Sequence, residues 1–368
     1  MNTSPVGYTI PMLDLSWEAH RRTIVDKEQG QYLGHVTSIL LDDGKTIVAV
    51  YPKGHGRGAI VMKRSEDGGQ TWSERLATPA SWATSREVPT LYRTVDAGGN
   101  ELWLLFSGMF PVRMSVSDDQ GSSWSELEPI GDYGGIVAMS DLVALQKPGH
   151  YMALFHDDGR VIRGGTGEHW GSPASEPDGG MRVYEVNSQD GGRTWGKPRV
   201  ILEHPEAHLC EAGAVYSPDK SEIALLLREN TRRFNSFISF SQDEGTTWSE
   251  PRELPGALTG DRHTVRYLKD GRLVIAFRDM CRASATQGDF VVWIGHYEDL
   301  TLGREGCCRL RLGANHQGHD STYPGVQVLP DGTVVAITYG HWEQDVSPYI
   351  IAVRFHPDEI DARLNPSR

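Results

Sequence analysis

The chain has 368 residues with 49 acidic and 36 basic side chains, a formal charge of −13, so it lacks the basic face that phosphate neutralisation needs and nucleic acid is excluded as a partner. With 38% hydrophobic residues, 41 Gly, 20 Pro and 10 Trp, it can bury a sizeable core. Its punctuation is that of many short strands, not of a helical bundle.

The N-terminal stretch Met1–Arg22 has no basic start followed by an apolar run and nothing of membrane-spanning length. A cytoplasmic protein with no membrane partner is expected, or a periplasmic or secreted one if a leader has been removed; the oligomeric state is left open. Cys210, Cys281, Cys307 and Cys308 show no metal-ligand spacing and read as free thiols.

In chain order, RRTIVDKE (21–28) reads as an outer strand lying ahead of the first repeat, placed to close the last one. HVTSILL (35–41) then leads through DDGK to TIVAVYP (46–52), and GAIVMKRS (58–65) runs into the turn SEDGGQTW, whose following segment supplies a fourth strand. The same order recurs in VPTLYR with ELWLLFS, IVAMSDLVAL with YMALFHD, AGAVYS with EIALLLRE, HTVRYL with RLVIAFRD, and YPGVQVL with TVVAITYG. The turn itself returns as SDDQGSSW, SQDGGRTW and SQDEGTTW, each fitting S-x-D-x-G-x-[TS]-W. In such a turn the Asp side chain binds nearby amides, Gly supplies a positive φ and Trp plugs the gap to the next unit.

The fold expected is therefore all-β: a β-propeller of four-stranded antiparallel blades with Asp-box turns, six by count with seven as the alternative, in a single domain over 1–368. The fifth and sixth blades lack a box, and HYEDLTLGREG in the fifth is read as a degraded one. Residues 157–180 are read as an insertion loop in the third blade.

In an antiparallel pair, the start of the first strand and the end of the second share one end of the sheet. Residues at those ends are expected to converge: His35, His55, Arg86, Glu87, His156, Arg160, His208, Glu211, Arg228, Arg262, His263, Arg278, Tyr323 and His341. Arg228 and Arg278 follow strongly apolar strands and either bind a carboxylate in bidentate fashion or pair with Glu211 and Asp261. Tyr323 and His35 read equally well as packed strand-start residues. His55, inside KGHGRG, has little around it to pack against. Arg113 joins the substrate-binding candidates. A zinc site from His35, His55, His263 and His341 has no HxH or HExxH spacing behind it, so no metal ligand is assigned. A divalent cation such as calcium is left open as an aid to charge neutralisation.

The boxes and blade grammar, spanning roughly 21–356, resemble the sialidase superfamily. That resemblance implies an arginine triad for a sugar carboxylate and a Tyr-Glu nucleophile pair, here Tyr323 and Glu211, with Arg228 and Arg278 among the arginines. The first blade departs from the pattern: His35 stands where the first arginine is expected, and KGHGRG holds no acid/base aspartate. Two histidines on one hairpin end, with Tyr and Arg elsewhere, resemble instead the propeller-fold polysaccharide lyases of the ulvan lyase and L-rhamnose-α-1,4-D-glucuronate lyase type.

That second resemblance implies β-elimination next to a glucuronate in an acidic oligosaccharide or polysaccharide. His35, His55 and Tyr323 would be catalytic, and Arg228, Arg278, Glu211, Arg262, His263, Arg113, Arg160 and His341 would bind substrate. The alternatives are a sialidase-like hydrolase using Tyr323 and Glu211, and a non-catalytic glycan-binding propeller.

Overall fold

The computed structural model describes residues 7–163, 169–170 and 180–365. Six antiparallel sheets follow one another along the chain, with a two-stranded ribbon pairing 162–163 with 169–170. Their number and strand order make the chain a six-bladed β-propeller. Two compact units divide it: one holds residues up to His55, Val61–Leu76 and Leu254 onward, the other Gly56–Ile60 and Ala77–Glu253.

The first unit contains the first, fifth and sixth blades. Strands Thr37–Leu40, Ile47–Pro52 and Ile60–Ser65 form the first sheet. The segment after its box keeps two bonds to the neighbouring strand, Ser73 N to Arg64 O at 2.8 Å and Leu76 N to Met62 O at 2.9 Å, without becoming regular strand. In the fifth, Met12–Asp14 adds a parallel strand beside Cys308–Gly313, and a helix Tyr297–Leu302 stands where a degraded box was expected. The sixth takes its outer strand from the other end of the chain: Arg22–Asp26 pairs antiparallel with Tyr349–Phe355.

The second, third and fourth blades make up the other unit. Their inner strands are Pro89–Val95, Ile136–Ala144 and Leu209–Tyr216. Most of the insertion expected over 157–180 lies outside the described residues. At its start, Asp157 accepts amides from Gly159 and Ile162, both at 2.9 Å.

Each blade's second strand is apolar without alternation because both of its faces are covered. Leu102–Phe106, Ala224–Leu227, Val274–Phe277 and Val334–Ile337 are all essentially inaccessible. On the outer edges the four boxes repeat one hydrogen-bond set. In the first, Ser65 Oγ donates to Asp67 Oδ1 at 2.8 Å and accepts from Gly69 N at 2.8 Å, while Thr71 bonds Asp67 through both its amide and its hydroxyl. Asp119, Asp190 and Asp243 are held in the same way by Ser123, Thr194 and Thr247.

The box glycine is required twice over. Its φ is +83° at Gly69, +93° at Gly192 and +85° at Gly245. A Cβ there would lie 2.9 Å from Val335, 2.3 Å from Leu104 and 2.6 Å from Met152, atoms on the second strand of the preceding blade. In these three the turn presses directly on its neighbour's buried strand, while a Cβ on Gly121 would meet Trp103 of its own blade, and Trp195 packs edge-on against Phe106 at 5.7 Å.

Gly271 shares the left-handed conformation, with φ +86°, but has open space around it. Gly271→Ala is therefore expected to cost about 1 kcal/mol of backbone strain. Gly192→Ala adds a clash inside a packed core and is expected to lose roughly 2 kcal/mol more. Denaturant titration of the two variants checks the difference.

Candidate functional site

The entrances to the inner strands share a backbone device. His35, Val137, Glu211, Arg262 and Thr322 all have φ between +49° and +59°, and the pairing register slips beside three of them, at 136/141, 210/213 and 261/264. A bulge with one left-handed residue re-aims a side chain at the strand end, and for a residue with a Cβ it costs about 1–2 kcal/mol. Three of the five residues so placed are His35, Glu211 and Arg262.

In the first unit these entrances gather an aromatic and histidine cluster around one carboxylate. The His35 ring lies 4.3 Å from Tyr323, 4.7 Å from His55 and 4.8 Å from Tyr339, stacked on the last. Asp320, from the loop ahead of the sixth blade, accepts from Tyr32 at 2.6 Å and Tyr339 at 3.3 Å on Oδ1, and faces His341 Nε2 at 3.1 Å with Oδ2. His55 is exposed; its Nδ1 is 2.7 Å from Tyr32 Oη and 3.4 Å from Asp320 Oδ1.

Proton positions follow from that arrangement. Burial disfavours ionisation of Asp320, but hydrogen bonds from His55, Tyr32 and His341 outweigh it and hold the carboxyl well below its usual range. Burial raises the Tyr32 phenol, so it keeps its hydrogen. That hydrogen points to Asp320, which leaves Tyr32 Oη to accept from His55 Nδ1–H. In a neutral His55 ring that tautomer puts the hydrogen on Nδ1 and leaves Nε2 bare. Burial above all pushes the pKa of His35 well down, the charges of Arg278 and Arg262 add to the fall against the pull of Asp320, and the ring is neutral.

The arginines beside this cluster differ. Arg278 pairs with buried Asp261 through Nε and Nη2, and its Nη1 donates to the carbonyls of His319 and Ser321 at 2.6 and 2.8 Å. Of the two outcomes open for it, the Asp261 pair is present, and the guanidinium braces the loop that carries Asp320. Arg262 lies over the Tyr323 ring at 6.0 Å. His263 turns into the core, with Nε2 2.9 Å from Leu258 O and its ring 5.0 Å from Phe277.

In the second unit Arg228 donates to Glu211 at 2.7 Å and to Asn230 at 2.7 Å. Glu211 N approaches His156 Nδ1 at 3.5 Å, and burial pushes that imidazole down to about 4. Arg160 pairs with Asp158 at 2.7 Å. Arg113 donates to both oxygens of Thr84. Glu87 is half-buried; burial pushes its carboxyl up to about 7 against the amides of Val88 and Val137, with the negative charge of Glu211 adding to the rise.

Strand-end reasoning did not find Tyr32, Asp320 or Tyr339. The only signal was position: Asp320 stands three residues before Tyr323 in a His- and Gly-rich loop, and Tyr32 three before His35. Among the described residues no group of three or more His, Cys, Asp or Glu side chains is placed to hold a metal ion. All four cysteines are free thiols, and no helix is long and apolar enough to cross a membrane.

Fold and turns define a six-bladed propeller with Asp-box turns. Residues 83–335 match the BNR repeat-like domain, and the chain belongs to that family. No curated protein matches it in sequence. Among solved structures it is similar to a protein of unknown function from Dyadobacter fermentans DSM 18053, at 15% identity and TM-score 0.70, covering 91% of this chain and 97% of that one. The α-L-arabinanase of Penicillium chrysogenum, solved with arabinobiose, matches at 13% identity and TM-score 0.63 over 92% and 98%. The intramolecular trans-sialidase of Ruminococcus gnavus, solved with oseltamivir carboxylate, matches at 14% and 0.61 over 91% and 98%. These likenesses establish the fold.

Glu87 makes the unit's stability depend on pH in a defined direction. Its carboxyl titrates at about 7 in the fold and at about 4.3 in the unfolded chain, so the fold binds more protons between those values. Stability falls as pH rises through that window and levels off above it. Glu87→Gln is expected to raise the melting temperature by a few degrees at pH 8 and to leave it nearly unchanged at pH 4, as calorimetry at the two pH values would show.

Proposed function

We propose that the chain is a lyase acting on an acidic glycan, cleaving the bond to O4 of a glucuronate by β-elimination, with a terminal rhamnosyl-glucuronate as the substrate class. The observation carrying this reading is the alignment of His55 Nδ1, Tyr32 and Asp320, which in the neutral exposed ring turns Nε2 into the available base. Elimination needs a base for the C5 proton, a cation facing the carboxylate and an acid for the departing oxygen.

His55 Nε2 takes the C5 proton, and Asp320 stabilises the imidazolium through Tyr32. The C5–H electrons form the C4–C5 double bond as the C4–O4 bond breaks, and O4 leaves with its electron pair and takes the Tyr323 hydroxyl proton. Arg262, above that ring, faces the developing charge on the carboxylate. Neutral His35 packs against both His55 and Tyr323 and sets their spacing. Asp320 is a poor candidate for the acid of a hydrolase, because its hydrogen bonds keep it ionised.

A sialidase-like hydrolase is the second reading, favoured by Arg262 over Tyr323, which would stabilise a phenolate nucleophile. Incubation with a rhamnosyl-glucuronate oligosaccharide separates the two. The lyase produces an unsaturated uronate with new near-ultraviolet absorbance, and His55→Ala slows it by about 10²–10⁴-fold. Saturated products, with Tyr323→Phe inactive and His55→Ala intact, would replace it with the hydrolase.

A further inference from the structure

Within the second unit, the segment ahead of Pro89–Val95 and the loop ahead of Arg113–Ser117 clasp each other through arginines. Arg113 donates to Thr84 Oγ1 at 2.8 Å and to Thr84 O at 2.7 Å, and Arg86 donates to Phe110 O at 3.3 Å in return. The acceptors are neutral, so none of these bonds brings a counter-charge to either guanidinium. Among the described residues neither forms a salt bridge, and most of each donor fork is left for another acceptor. Arg86 is exposed and Arg113 half-buried.

Like charge is thus concentrated in a chain of net −13. Burial and the nearby charge of Arg86 both lower the pKa of Arg113, and Glu128, on the adjoining outer strand, offsets this only in part. The exposed Arg57 stands next to Gly58, whose N bonds Ser85 O, one residue before Arg86, at 3.2 Å. Holding arginines together on carbonyls and a hydroxyl, with no carboxylate, is unfavourable unless an anion shares them, and fork-shaped donors suit a planar or tetrahedral oxyanion.

We infer that Arg86 and Arg113 form a binding subsite for an oxyanion of an acidic glycan, a uronate carboxylate or a sulfate ester. It extends the substrate-binding place that the lyase resemblance implies for Arg113, and shares with the proposed function the acidity of the glycan. Its test reads binding and not turnover, so absence of elimination leaves it standing.

Calorimetric titration with a uronate, a sulfated and a neutral tetrasaccharide of equal length provides that test. The wild type is expected to bind at least one anionic ligand about tenfold or more tightly than the neutral one. The better of the two identifies the oxyanion. Arg86→Gln with Arg113→Gln together should abolish most of that preference without weakening neutral binding. Arg86→Gln alone, exposed and with a single long bond to lose, keeps the test valid if the double variant does not fold; a several-fold loss is expected. An anionic preference equal to wild type in these variants, or no preference in the wild type, overturns the subsite.

Discussion

Three of the four box turns press on the preceding blade's central strand at a distance that leaves no room for a Cβ. At Gly69, Gly192 and Gly245 a side chain would meet the buried face of Val335, Leu104 or Met152. The turn can approach so closely because Asp and Ser or Thr bind its amides internally, so the backbone needs no partner from the neighbouring sheet. With the outer edge closed in this way, each second strand is covered on both faces and can be wholly apolar. Chain polarity is then displaced to the ends of the strands.

At one end of the blades the bulged, left-handed residues convert that polarity into placed side chains. His35 is turned onto Tyr339 and Tyr323, and Arg278 reaches across to brace the carbonyls of His319 and Ser321. Asp320, between them, is thereby fixed where Tyr32, Tyr339 and His341 meet it. The strain of a left-handed His35 is tolerated because its surroundings over-determine it. The outcome is a carboxylate that stays ionised, a phenol that stays protonated and an exposed imidazole whose tautomer is set by both.

Much of the fold was legible because its signals are local. The box spans eight residues, so spacing alone exposes it, and apolar pairs separated by short polar turns count the six blades. The degraded box of the fifth blade hid a helix, entered through His296 N and Asp299. Candidate residues were legible only where hairpin geometry places them, as for His35, His55 and Tyr323. Asp320 was not: the resemblance to sialidases directs attention to an aspartate in the first blade's loop, whereas the carboxylate here comes from the loop before the last blade. Arg278 illustrates a second limit, since sequence left it between ligand and ion pair, and only the position of Asp261 shows where its donors go.

The central claim is a matter of where one hydrogen sits, and nitrogen NMR of ¹⁵N-histidine-labelled protein near pH 8 reads it directly. With the His55 resonance assigned by comparison with His55→Ala, the account predicts hydrogen on Nδ1 and a bare Nε2, with that preference lost in Tyr32→Phe. Hydrogen on Nε2 in the wild type would contradict it, because the nitrogen proposed to take the C5 proton would already hold one.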